Sequence, residues 1–262
     1  MNKMIPILLL LLLFGAAAWY FFIAEPAEVH ELPTSLLLPV KTTAEPQTPT
    51  EPEDIEVYIA PEPEIVPDPL PSLNESDPEI TQALAAMVGA KALQTYLVKS
   101  DVISRFVTTI DSLAYRQVPA QVNPVRLVPG GFKTHEEEEN IALSEENFTR
   151  YDGYVALINT ADTDVIMAFY QRYNPLFQQA WEENGHEGSF NQRLVEVIDE
   201  LLATPDVPRP IYLTKPEAVY LYAQEALESM TAGQKILVRM GSANAAVVKE
   251  KLAEIRLHIN DQ

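Results

Sequence analysis

Proline sets the first limit on this chain. Between Glu25 and Pro71 it recurs at short intervals with acids between, as in "TAEPQTPTEPEDIEVYIAPEPEIVPDPLP", and Lys41 is the region's only base. Such a stretch cannot bury enough apolar surface to offset its ordering entropy, and its like charges keep it extended. The expected state is a disordered acidic tether over residues 25–71. At about 3.1 Å per residue, about 45 residues reach roughly 140 Å when wholly polyproline-like. Two apolar islands, Leu36–Leu38 and Ile55–Ile59, interrupt the tether, and read as bland interruptions rather than docking motifs.

Ahead of the tether lies an uncharged apolar run, Ile5–Ala24. Its length of about 20 residues is what spans a bilayer core. Ala16–Ala18 satisfy the small-residue rule of a secretory cleavage site, which would release the protein. Polar sequence should then follow, but Trp19, Tyr20, Phe21, Phe22 and Ile23 come next, a better match to an interfacial aromatic belt. The run is read as a signal-anchor over residues 1–24. Lys3 precedes it and no base follows until Lys41, so the N-terminus stays inside and the remainder is exported. In a bacterium this means one pass through the inner membrane, with the C-terminal part in the periplasm. The protein has no cysteine, which fits an oxidising compartment and removes disulfide frameworks, thiol catalysis and lipoprotein anchoring.

Ordered structure is expected from about Ser72 to Gln262. Asp77 as cap, Pro78 at the first helical position and Gly89 as terminator mark one helix. Lys91–Val98 and a segment opening at Ser100 or Asp101, with Val102, Phe106, Ile110 and Leu113 in register, mark two more. Pro119, Pro124 and Pro129-Gly130-Gly131 enforce an extended crossing. "FKTHEEEENIAL" suggests a hairpin with glutamates at its tip. Ser144 opens a helix reaching Ile158, Asp162 or Thr163 opens one that Pro175 should kink, and Phe190–Ala203 forms another. Ile211–Leu213 and Val219–Tyr222 look strand-like, although a helix over Pro216–Met230 fits nearly as well. Thr231–Met240 and Ser242 to about His258 close the domain. The expected class is mainly α: a compact multi-helix domain with one or two small β-hairpins.

"FNQRLVEVIDELLATP" and "AGQKILVRMGSANAAVVKEKL", after a "LPSLNESDPEI" domain start, resemble an uncharacterised proteobacterial family, a domain of unknown function. The resemblance covers about Pro71–Ile259. It implies an N-terminal membrane segment, a Pro-rich spacer and this domain, and it supplies no catalytic residue, cofactor or substrate.

The residues able to carry chemistry are few. His30, His135, His186 and His258 are scattered, with no i,i+4 pair, so neither a transition-metal site nor a cofactor is expected. His135 with Glu136–Glu139 lacks the spaced ligands of a calcium loop and reads as a solvated acidic turn. Phosphate loops and nucleophile elbows are missing. The best carboxylates are Glu196, Asp199 and Glu200 in "RLVEVIDELL", since paired acids are what glycan cleavage uses. On a wheel Leu194, Ile198, Leu201 and Leu202 form the buried stripe, while Arg193, Glu196 and Glu200 share the opposite, solvated face. Asp199 flanks the stripe; its burial would favour an enzyme. Phe169, Tyr173, Phe177 and Trp181 recur every four residues, as a core row does. A net charge of -20 would repel phosphates, so no nucleic-acid role is expected.

From Thr231 onward the sequence turns locally basic. Lys235 and Arg239 form an i,i+4 row expected to be exposed, a candidate contact for an acidic partner. The function expected from all this is that of a membrane-anchored periplasmic binding or scaffold module, its partner an envelope protein or complex. The alternative is a cell-wall-active enzyme using Glu196 or Asp199.

Overall fold

The computed structural model describes residues 69–126, 128–159 and 162–259. The expected span over residues 5–24 and nearly all of the expected tether lie outside them. Among the described residues no helix is long and apolar enough to cross a membrane.

The order of elements is α1 (Asp77–Val88), α2 (Ala90–Tyr96), α3 (Val102–Leu113), β1 (Thr134–Glu137), β2 (Asn140–Leu143), α4 (Glu146–Thr149), α5 (Asp152–Asn159), α6 (Thr163–Glu183), α7 (Phe190–Leu202), β3 (Tyr212–Thr214), β4 (Leu221–Tyr222), α8 (Glu225–Glu228), α9 (Ala232–Met240) and α10 (Ser242–His258). The domain is mainly helical, with one small sheet. Strands β1 to β4 pair antiparallel in sequence order, so β1 and β4 are its edges. The strand reading of 211–222 holds, and the competing helix is reduced to the single turn of α8.

Two apolar clusters hold the domain. The larger gathers α1 to α3, α5 to α7, α9 and α10, with Phe190, Ile198, Leu252 and Val248 among its most enclosed residues. The smaller lies under the sheet, where Leu143, Ile211, Leu213 and Tyr222 meet Leu227 and Val238. Helix α9 serves both: Ile236, Leu237 and Met240 enter the main core while Val238 enters the sheet cluster. Helix α10 packs on α5, α6, α7 and α9.

Local chemistry explains most boundaries. Asp162 caps α6 through the backbone N–H of Asp164, and Thr231 with Gln234 forms a reciprocal capping box at α9. Asp77 behaves differently from the expectation. Its carboxylate accepts the N–H groups of Asp101 and Val102 at 2.7 and 2.9 Å, so it caps α3 rather than its own helix. The segment after Ser144 is not one helix but two, α4 and α5. Helix α6 runs unbroken through Pro175, although proline there removes one intrahelical hydrogen bond. Gly241, at φ 82° and ψ 156°, both ends α9 and precedes α10, with the ring of Phe148 packed over it.

Candidate functional site

Two of the three acids of α7 are committed to ion pairs. Glu196, 65% exposed at its side chain, meets Arg193 at 3.0 Å. Asp199, 52% exposed, accepts from the Arg256 guanidinium at 2.9 Å. Burial pushes the Glu200 carboxyl above the ordinary glutamate value, against the opposing pull of a hydrogen bond from Thr231. The aromatic row of α6 is core: Phe169, Tyr173, Phe177 and Trp181 are all buried. Phe177 lies edge-on to Phe106 at 5.3 Å and stacks with Phe190 at 5.9 Å.

The expectation of an exposed basic row on α9 is corrected. Lys235 is buried, its side chain 6% exposed, and its ammonium meets Glu228 at 2.5 Å. The other oxygen of Glu228 accepts the N–H of Tyr222 at 2.8 Å, so one carboxylate ties α8 to both β4 and α9. Arg239, partly buried, extends its guanidinium over the Tyr222 ring at 5.8 Å. The physical reason is that α9 is wedged between the two apolar clusters, leaving little of its surface to solvent. Lys235 and Arg239 therefore do not form a solvated row.

A cluster the wheel did not separate from ordinary surface lies where α3, α6 and α7 meet. Asp111, 8% exposed, accepts from the Nε of Arg193 at 2.8 Å. His186 approaches the second oxygen of Asp111 at 3.7 Å and stacks on Trp181 with ring centroids 3.8 Å apart. Arg193 also lies over the exposed ring of Tyr115 at 5.6 Å. The only sign of it in the sequence is an aspartate beside the apolar stripe of α3, in "TTIDSL". These contacts clamp the α6–α7 loop to α3.

Two open pockets lie on the surface of the domain. One is about 390 Å³, lined by α6, the start of α7 and the end of α10, with Tyr170, Asn174, Asn191 and His258 among its polar groups. The Tyr170 hydroxyl donates to Asn191 at 3.2 Å, and burial raises its pKa. The second, about 180 Å³, forms where the loop after α7 crosses the junction of α9 and α10. Ile211, Leu237, Val238 and Ala245 make its apolar floor; Arg209, Lys249, Ser242 and Asp206 stand at its rim. Sequence reading singled out neither Arg209 nor this use of Lys249.

The described histidines lie apart from one another. His135 lies 3.6 Å from Glu137, and His258 lies 3.6 Å from Asp164 with its other ring nitrogen 2.8 Å from the Glu254 carbonyl. His30 lies outside the described residues. Among the described residues no group of three or more His, Asp or Glu is placed to hold a metal ion.

These features define a helical domain carrying a small four-stranded antiparallel sheet and shallow surface pockets. Its sequence places it within a family: residues 102–256 match the one described as "Protein of unknown function (DUF3014)", and the chain belongs to it. No curated protein and no solved structure matches it.

Proposed function

We propose that the protein is a tethered binding module of the bacterial envelope. Residues 5–24 hold it in the inner membrane, residues 25–71 give it reach, and the helical domain engages an envelope protein or complex in the periplasm. The anchor rests on the uncharged run and its aromatic end, and the orientation on Lys3. One observation carries the binding reading: Glu196 and Asp199, the two acids of the enzyme alternative, are exposed and already paired with Arg193 and Arg256. A general acid works from a position that faces its substrate and shields it from water, which an exposed, arginine-paired carboxylate does not occupy.

Site-specific crosslinking in living cells tests the proposal. Photoreactive residues on the exposed faces of α7 and α10 of the full-length protein should yield one defined periplasmic adduct. Digestion of purified cell-wall sacculi by the full-length protein, abolished by Glu196→Gln or Asp199→Asn, would replace the module with an enzyme.

A further inference from the structure

We propose that the pocket between the α7–β3 loop, α9 and α10 receives the C-terminal end of a partner polypeptide, its last carboxylate on the cationic rim and its last apolar side chain on the floor. The inference rests on the binding-module reading and names the chemistry that the module would recognise.

The volume, about 180 Å³, sets the scale of the occupant. Pockets for drug-sized ligands run to roughly 300–1,000 Å³. This one suits a single residue. Its lower wall is aliphatic: Ile211 and Val238 from the sheet cluster meet Leu237 and Ala245 from the main core. Such a floor takes a branched or linear alkyl side chain, with the polar groups of the pocket, Asp206, Arg209, Ser242 and Lys249, above it at the rim.

The rim supplies charge of the opposite kind to the protein as a whole. Lys249 donates to the Thr204 carbonyl and has no carboxylate partner among the described residues. That distinguishes it from Arg172, Arg193, Lys235, Lys251 and Arg256, each paired to an acid. Arg209 is held by its guanidinium lying 3.9 Å from the Phe148 ring centroid. Its ion pair, at 3.5 Å, is to Glu145, whose side chain is 74% exposed and so screens it weakly. Helix α10 begins beside them with no acid in its first turn and no side-chain cap, which adds positive potential at the same mouth. Asp206 is the one acid of the lining.

Two cations above an aliphatic floor need a ligand with a carboxylate and an alkyl group a few bonds apart. A polypeptide ending in an aliphatic residue presents both on that one residue. An internal Asp or Glu presents the carboxylate without the alkyl group. Capture of a terminal carboxylate is an established mode of peptide recognition.

The experiment uses the full-length protein in detergent micelles and fluorescence anisotropy of a labelled pentapeptide, Gly-Gly-Ser-Ala-Leu, in free-acid and carboxamide forms. The free acid should bind at least ten-fold more tightly than the amide, and more weakly as salt rises. Lys249→Gln should lower affinity about ten-fold. Ala246→Phe, which fills the mouth from an exposed position of α10 without altering charge, should abolish binding with an unchanged unfolding midpoint. Equal binding of acid and amide, no binding of either, or wild-type affinity in both folded variants overturns the proposal. Binding of hexanoate without binding of the peptide overturns the peptide assignment. In-cell adducts that persist in Lys249→Gln retire the pocket and leave the module reading standing, whereas the absence of any adduct in wild-type cells retires that reading itself.

Discussion

Lys235 and Glu228 meet at 2.5 Å with the lysine side chain 6% and the glutamate side chain 26% exposed. The pair links α8 to α9, and through the Tyr222 N–H it also fixes β4. Removing one member of such a pair leaves the other charge buried and costs about 3–5 kcal/mol. Lys235→Glu adds repulsion to that loss, so its urea midpoint should fall steeply. A midpoint within experimental error of the wild type would mean that the ammonium is solvated.

Asp111 should be the most consequential acid of the α3–α6–α7 junction. Its side chain is 12% exposed and accepts from Arg193, whose own side chain is 20% exposed. Hydrogen bonds to charged groups contribute about 1.5–3 kcal/mol. Asp111→Ala should cost about 2 kcal/mol and shift the emission of Trp181, because the stacked His186 loses its anchor. Stability lost without a spectral change would separate the ion pair from the stack.

Acid should weaken the domain through two surface carboxylates. Hydrogen bonds from Tyr173 and then Arg172 hold Glu79 below the ordinary glutamate value; Lys251 and then Thr163 do the same for Glu254. A depressed folded value gives stability that is complete above the unfolded pKa and is lost as pH falls through the folded one. The unfolding midpoint should therefore be flat near neutrality and drop below the ordinary glutamate range. Tyr173→Phe with Lys251→Met should flatten that acid limb, and an unaltered slope would assign the loss to other groups.

Gly241 should tolerate no side chain. A Cβ there would sit 2.8 to 3.0 Å from three atoms of the Phe148 ring, at a φ of +82°. Backbone strain of this kind costs about 1–3 kcal/mol, before any displacement of the ring. Gly241→Ala should lower the midpoint more than Gly185→Ala, where φ is +84° and nothing lies within 4 Å of the added carbon. Equal losses would show that Phe148 moves freely.

Sequence periodicity locates the helices because each is amphipathic or capped: α3, α7 and α9 begin and end within a few residues of the positions that pattern and caps indicate. It fails where the determinant is distant. Asp77 looks like the cap of its own helix, yet its oxygens serve α3, 24 and 25 residues on. Lys235 looks exposed on a wheel because the wheel shows one apolar stripe, and it does not show that the sheet covers the opposite side of α9. The Asp111–Arg193 pair spans 82 residues, and the pocket at Lys249 depends on a loop 45 residues earlier in the sequence. Spacing within a helix carries no record of such meetings.

The acidic hairpin also governs how copies of the domain meet when crowded. Strand β1 is one edge of the sheet, and it carries Glu136 and Glu137 with His135, leading to Glu138 and Glu139 at the turn. Unpaired backbone groups on an edge invite another strand, and clustered charge is a device that refuses one. Two copies brought together along β1 would oppose glutamate to glutamate, so these edges repel where they would otherwise zip into a shared sheet. The hairpin thus works as a fender on that side of the sheet, keeping copies that meet there from fusing.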